Sequence, residues 1–147
     1  MANENFITKL EKGRAEFAYK CVENAIEKLK DKSKDYKSHV KKILSMILSN
    51  GLGQTLAFIK AKSKDGNAYE LIYEQLTNYI KSECPSRIKM PQDKNDLVEW
   101  VIGLKSIHYS YVTEELLSFL NWLKRFAEGL IKDKNNTQGD KNVNSGK

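Results

Sequence analysis

Apolar residues return along most of this chain every three or four positions, the spacing that lines one face of a helix. The first block predicts a helix over residues 4–31, with Phe6, Leu10, Phe17, Cys21, Val22, Ala25, Ile26 and Leu29 on one arc. Arg14 projects into the middle of that arc, where a cation needs a carboxylate, a backbone carbonyl or a phosphate. After a polar turn at Asp31–Asp35, a second helix over 35–49 carries Tyr36, Val40, Ile43, Leu44, Ile47 and Leu48 on one face. Asn50-Gly51 then breaks the pattern in the manner of a left-handed helix cap. A third helix begins almost at once, with Leu52, Leu56 and Ile59 on one stripe and a basic end at Lys60–Lys64. Phe58 lies about 100° or more off that stripe, so it must bury against a second surface, in this chain or another.

Asn67 is placed to cap a fourth helix, whose stripe is Tyr69, Ile72, Tyr73, Leu76, Tyr79 and Ile80; its tyrosines read as core. Residues 84–95, with Pro85 and Pro91, form the longest irregular connection. A fifth helix over 96–104 brings Leu97, Val98, Val101 and Ile102. The last starts between Tyr109 and Thr113, where Thr113-Glu114-Glu115 suits an N-terminus, and runs to Ile131. Its arc holds Leu116, Phe119, Leu120, Leu123, Phe126, Ala127 and Leu130, with Trp122 and Lys124 on its flanks and Arg125 nearly opposite. No strand-like alternation competes. The expected fold is all-α, a single compact bundle of five to six helices over residues 1–131, followed by a disordered polar tail over 132–147.

Charge sharpens this picture. Residues 1–64 carry fourteen Lys/Arg against seven Asp/Glu, a net of +7, whereas residues 65–147 sum to −1. A one-sided positive field attracts polyanions without regard to their sequence, although a solvated lysine-rich surface has the same composition. No apolar run approaches the roughly 20 residues that span a bilayer, and Met1–Phe6 lacks the features of a signal peptide. The expected setting is therefore cytoplasmic, without membrane, and with Cys21 and Cys84 as reduced thiols.

Catalytic patterns are sparse. His39 and His108 are the only histidines, and neither has a paired acid or base in a recognisable motif. Glu114-Glu115 and Glu11/Glu16 match no metal-ligand spacing, and Gly51-x-Gly53 lacks the third glycine and preceding strand of a dinucleotide loop. No enzyme, cofactor or metal is expected. Two binding readings remain. Helix, Asn-Gly turn, helix could be a helix-turn-helix DNA reader, but Thr55-Leu-Ala-Phe58 offers few base-reading groups. The other is a subunit that packs against partners and tracks a nucleic-acid backbone with lysines.

Two blocks favour the second. Asn50-Gly-Leu-Gly-Gln-Thr-Leu-Ala-Phe58 and Tyr109–Gly129 resemble, in this order, the signatures of the small helical subunit family of type III-B CRISPR effector complexes, the Cmr complexes. Arg14 in its alanine-rich helix adds to the match; Ser110 departs from it, standing where the family often has arginine. The resemblance implies a non-catalytic structural subunit whose copies stack into a filament lining the channel in which target RNA pairs with guide RNA. Its partners would be the other Cmr subunits, further copies of itself, and both RNAs. Guide pairing supplies sequence specificity, so such a subunit need only hold phosphates and shape. The residues expected to do so are Arg14, Lys41, Lys42, Lys60, Lys62, Lys124 and Arg125. For Arg14 an ion pair inside the bundle competes with that role, and for Lys124 and Arg125 simple solvation near a helix end competes. Phe58 and Trp122, both off their helices' main stripes, are expected at subunit contacts, with core packing as the alternative for each.

Overall fold

A computed structural model describes residues 2–132, with side chains from Lys9 onward. Six α-helices follow in order: α1 (Ala2–Leu29), α2 (Ser33–Asn50), α3 (Leu52–Lys62), α4 (Ala68–Lys81), α5 (Leu97–Ile102) and α6 (Ser106–Leu130). No strand occurs among the described residues. The tail expected over 132–147 lies, Lys132 apart, outside them.

α1 stops because Lys30 takes φ 50°, and a single 3-10 turn, Lys30–Lys32, turns the chain into α2. α2 runs against α6 in the opposite sense: Lys37 near its start reaches the carbonyl of Ile131, whereas the residues just past its end meet Tyr109. α4 caps as its sequence predicts, the Asn67 side chain accepting the Glu70 N–H at 2.9 Å. Tyr79 of α4 then stacks on Phe119 of α6 at 4.1 Å, and Phe17 of α1 meets both rings edge-on. A buried polar chain crosses the core beside this cluster. The Tyr36 hydroxyl donates to Gln75 at 2.6 Å, and the Gln75 amide donates to the Cys21 carbonyl at 2.9 Å, linking α2, α4 and α1. Every buried side-chain nitrogen and oxygen among the described residues has a partner, as a core at native packing demands.

One residue separates α2 from α3. Gly51 accepts both tasks at φ 89°, ψ 164°: its N–H closes α2 on Ile47, and its carbonyl receives the N–H and hydroxyl of Thr55 in α3. This is a glycine-only region of backbone space, more extended than the left-handed cap expected there. The 84–95 connection is also tied down, since the Met90 N–H bonds the Ile80 carbonyl and its side chain is fully buried.

Four details differ from the expectations above. α6 begins at Ser106, before the predicted window; the Thr113 hydroxyl bonds the Tyr109 carbonyl inside the helix instead of capping it. Leu48 and Ile102 were expected on buried faces but are 72% and 67% exposed, because each sits at a helix end where no neighbour extends to cover it. Tyr73 was read as core but is only half-buried; its hydroxyl donates to Asp96 and accepts the Val98 N–H, bracing the start of α5 against α4. α1 also ends two residues earlier than predicted.

Replacing Gly51 with alanine should therefore cost about 1–3 kcal/mol, since a Cβ is strained at that φ and ψ. The check is a lowered urea midpoint at unchanged slope. An unshifted midpoint would show that the joint relaxes without strain.

Candidate nucleic-acid interface and subunit surface

The seven cations expected at nucleic acid separate into two groups by their neighbours. Arg14 lies inward, only 12% of its side chain exposed, and grips Glu115 with two bonds, Nε to Oε2 at 2.8 Å and Nη2 to Oε1 at 3.1 Å. Nη1 takes Glu11 at 2.9 Å. Burial works against the charge, yet Glu115 and the nearby Tyr79 more than offset it and raise the guanidinium's pKa. The Tyr79 hydroxyl donates to Glu115 at 2.6 Å, and burial together with that carboxylate pushes its own pKa up. Arg14 thus follows its ion-pair alternative. Lys60 bonds Asp96 at 2.5 Å, and this lysine, together with the Tyr73 hydroxyl, outweighs burial to draw Asp96 below the usual carboxylate range. Lys41 has only a loose contact with Glu128 at 3.9 Å.

Lys42, Lys62, Lys124 and Arg125 have no carboxylate partner among the described residues. Two of them converge. The Lys42 ammonium sits 5.0 Å from the centre of the Phe58 ring and that of Lys62 5.8 Å from it, so α2 and α3 present two free charges across one aromatic side chain. Phe58 itself is half-buried and meets Tyr69 edge-on at 5.7 Å, which resolves its off-stripe position by packing on α4. His39 stacks on the other partner of that contact, Tyr69, at 3.9 Å. A separate cleft of about 300 Å³ is lined by Lys34, Lys37, Ser38, Lys41 and Ile131. Lys34 and Lys37 were missed in the sequence, although their spacing with Lys41 along one face of α2 is the signal that could have found them.

Trp122 and Arg125 belong to a different surface. Ser118, Asn121, Trp122 and Arg125 form one stripe of α6 and, with Glu11, line a notch of about 370 Å³. The Trp122 indole N–H donates to Glu11 at 3.2 Å, and its ring stacks on Phe126 at 5.5 Å. Phe126 in turn meets Tyr19 of α1 at 5.2 Å. Arg125 is exposed and Lys124 half-buried. Among the described residues no group of three or more His, Cys, Asp or Glu could hold a metal, and no helix is long and apolar enough to cross a membrane.

The blocks that flank this architecture touch each other. The Gly53 N–H donates to the Tyr109 hydroxyl at 2.8 Å, and a Cβ on Gly53 would stand only 3.3 Å from that oxygen. Glycine at 53 therefore lets the phenol reach the backbone at the start of α3. The family model described as CRISPR-associated protein (Cas_Cmr5) matches residues 10–130, both blocks included. The chain belongs to this family. It is 26% identical over 117 residues to the CRISPR system Cmr subunit Cmr5 of Thermus thermophilus, a match covering 76% of this chain and 93% of that one. Its fold is similar to a crystal structure of a CRISPR-associated Cmr5 family protein from the same species, with a TM-score of 0.66, 24% identity, and coverage of 84% and 97% of the two chains.

Within this Cmr5-family bundle, the Arg14–Glu115 pair is open to a direct test. Glu115→Ala strands a largely buried guanidinium and is expected to cost about 3–5 kcal/mol, read from the urea midpoint. An Arg14→Met, Glu115→Leu double variant should recover part of that loss, because no uncompensated charge remains. A double variant less stable than Glu115→Ala would overturn this account.

His39 gives a pH signature. Burial lowers its pKa below 6.5, with Lys42 acting in the same direction and Asp35 opposing. The folded chain therefore binds fewer protons here than the unfolded one. The stability from neutral His39 is complete above the unfolded pKa and is lost as pH falls through the folded value. Between about pH 7 and pH 5 the thermal midpoint should fall, and His39→Gln should flatten part of that fall. Identical slopes for both proteins would remove His39 as the cause.

Proposed function

We propose that this chain is a non-catalytic structural subunit of a type III-B CRISPR RNA-guided complex, whose copies stack into a filament lining the channel for guide and target RNA. The relative named as a Cmr subunit supports the assignment to such a complex. The observation that carries the RNA contact is the pair Lys42 and Lys62, two ammonium groups without a carboxylate partner among the described residues and poised over Phe58. Lys34, Lys37 and Lys41 add a second positive patch where α2 meets the end of α6. Such a surface holds phosphates by charge and shape and reads no bases, which suits a complex whose specificity comes from guide pairing.

The histidines fit a non-catalytic role. His39 is committed to its stack on Tyr69, and the ring of exposed His108 only tilts toward Tyr111 at 6.3 Å. The alternative of a duplex-reading helix is less well served by α3. Leu52, Thr55, Leu56 and Ile59 face the core, leaving Gln54, Ala57, Lys60, Ala61 and Lys62 outward, with Lys60 already held by Asp96.

Co-expression with the other Cmr subunits and a guide RNA should yield a complex containing this chain; its absence from that complex would overturn the subunit reading. In the complex, Lys42→Ala with Lys62→Ala should weaken target RNA binding. It should also flatten the dependence of log K on log salt by about 1.4, some 0.7 per lost phosphate contact on a single strand. An unchanged slope would free these lysines of the role.

A further inference from the structure

Two exposed surfaces of this chain have matching chemistry and take no part in the cationic face. The first is the aromatic stair on α1 and α6. Tyr19 is 40% exposed, and Phe126 and Trp122 continue from it, half-buried, ring against ring. Beside it stands the notch containing Arg125. Its one carboxylate, Glu11, is already consumed: Oε1 accepts from Arg14 and Oε2 from Trp122. Arg125 therefore stands in the notch without a free carboxylate, with Asn121 and Ser118 as further polar groups, next to the aromatic stair. Exposed aromatics beside an arginine are the composition of interface hot spots.

The second surface surrounds the α2–α3 joint. Ile102 and Ile107 are 67% and 54% exposed, at the end of α5 and the start of α6. A Cβ on Gly53 would meet Ile102 at 3.6 Å and Tyr109 at 3.3 Å, so these two helix ends converge on the joint. Glu99 precedes Ile102 by one helical turn, is exposed, and has no ion-pair partner among the described residues. Lys94 and Lys105 border this end as well. Here an unpaired carboxylate accompanies exposed aliphatic side chains.

We propose that the Glu99–Ile102–Ile107 end of one copy docks on the Tyr19–Phe126–Trp122 stair of the next, with Glu99 entering the Arg125 notch. The inference rests on the stacking reading above and gives it two faces. These differ, so the contact is head-to-tail and repeats without closing, as a filament requires. RNA is the weaker occupant for the stair. A polyanion seeks unmatched cations standing together, as Lys42 and Lys62 do over Phe58, whereas Arg125 shares its notch with the Glu11 carboxylate.

The test is charge reversal in the assembled complex, with copies of this chain per complex counted by native mass spectrometry. Arg125→Glu alone and Glu99→Arg alone should each lower the copy number, through contacts about tenfold or more weaker. Both residues are exposed, so the urea midpoint should stay at the wild-type value. The double variant, which restores opposite charges across the contact, should restore the copy number. Single variants that retain the wild-type number, or a double variant that fails to restore it, would overturn the contact while leaving the subunit reading intact. A wild-type complex holding one copy would overturn the stacking reading and this contact with it.

Discussion

The carboxylate of Glu115 is the constraint on which the helix arrangement depends. It is 5% exposed, belongs to α6, and is bound by Arg14 from α1 and Tyr79 from α4. An acid placed there without those partners would cost far more than any nearby apolar contact returns. The three helices are thus held in one relative register by a single charged group. Around it the rings of Phe17, Tyr79 and Phe119 exclude water, which strengthens the pair and makes a misregistered packing expensive. The polar chain from Tyr36 through Gln75 to Cys21 does the same for α2, and burial there pushes the Cys21 thiol up to about 12, so it stays protonated.

Much of this was legible in the sequence, and the losses have physical causes. Periodicity located every helix because each buries a stripe that must recur at the helical spacing. It misplaced Leu48 and Ile102 because a stripe says nothing of where the neighbouring element stops. It started α6 too late because Thr113-Glu114-Glu115 carries a sound local N-terminal signal. In the fold, that signal lies inside a helix whose first turns are anchored by Tyr109 on Gly53. Local preference yields to a tertiary contact of this kind. Arg14 announced its need for an acid, but the acid lies 101 residues away, and nothing local distinguishes Glu115 from Glu114.

The candidate site was legible as a composition and not as a geometry. Lysines in the basic half could be counted, yet only folding reveals which face carboxylates. Lys60 and Lys42 look alike in sequence; one is bound to Asp96, and the other is free over Phe58. Phe58 and Trp122 shared the property of lying off their stripes, and the fold sends them to different surfaces. Phe58 becomes the floor between two cations, and Trp122 becomes a step in an aromatic stair.

Met90 carries a consequence for how the molecule opens. Among the described residues it sits in the longest segment without helix, yet its side chain is fully buried and its N–H is bound to Ile80. Asp96 fastens the far end of the same segment to Tyr73 and Lys60. A connection pinned in this way has little freedom to fluctuate by itself, so its Met90 amide exchanges hydrogen through the opening of the α4 and α5 core. The irregular part of the chain is then among its slower clocks, and it reports on the cohesion of the bundle.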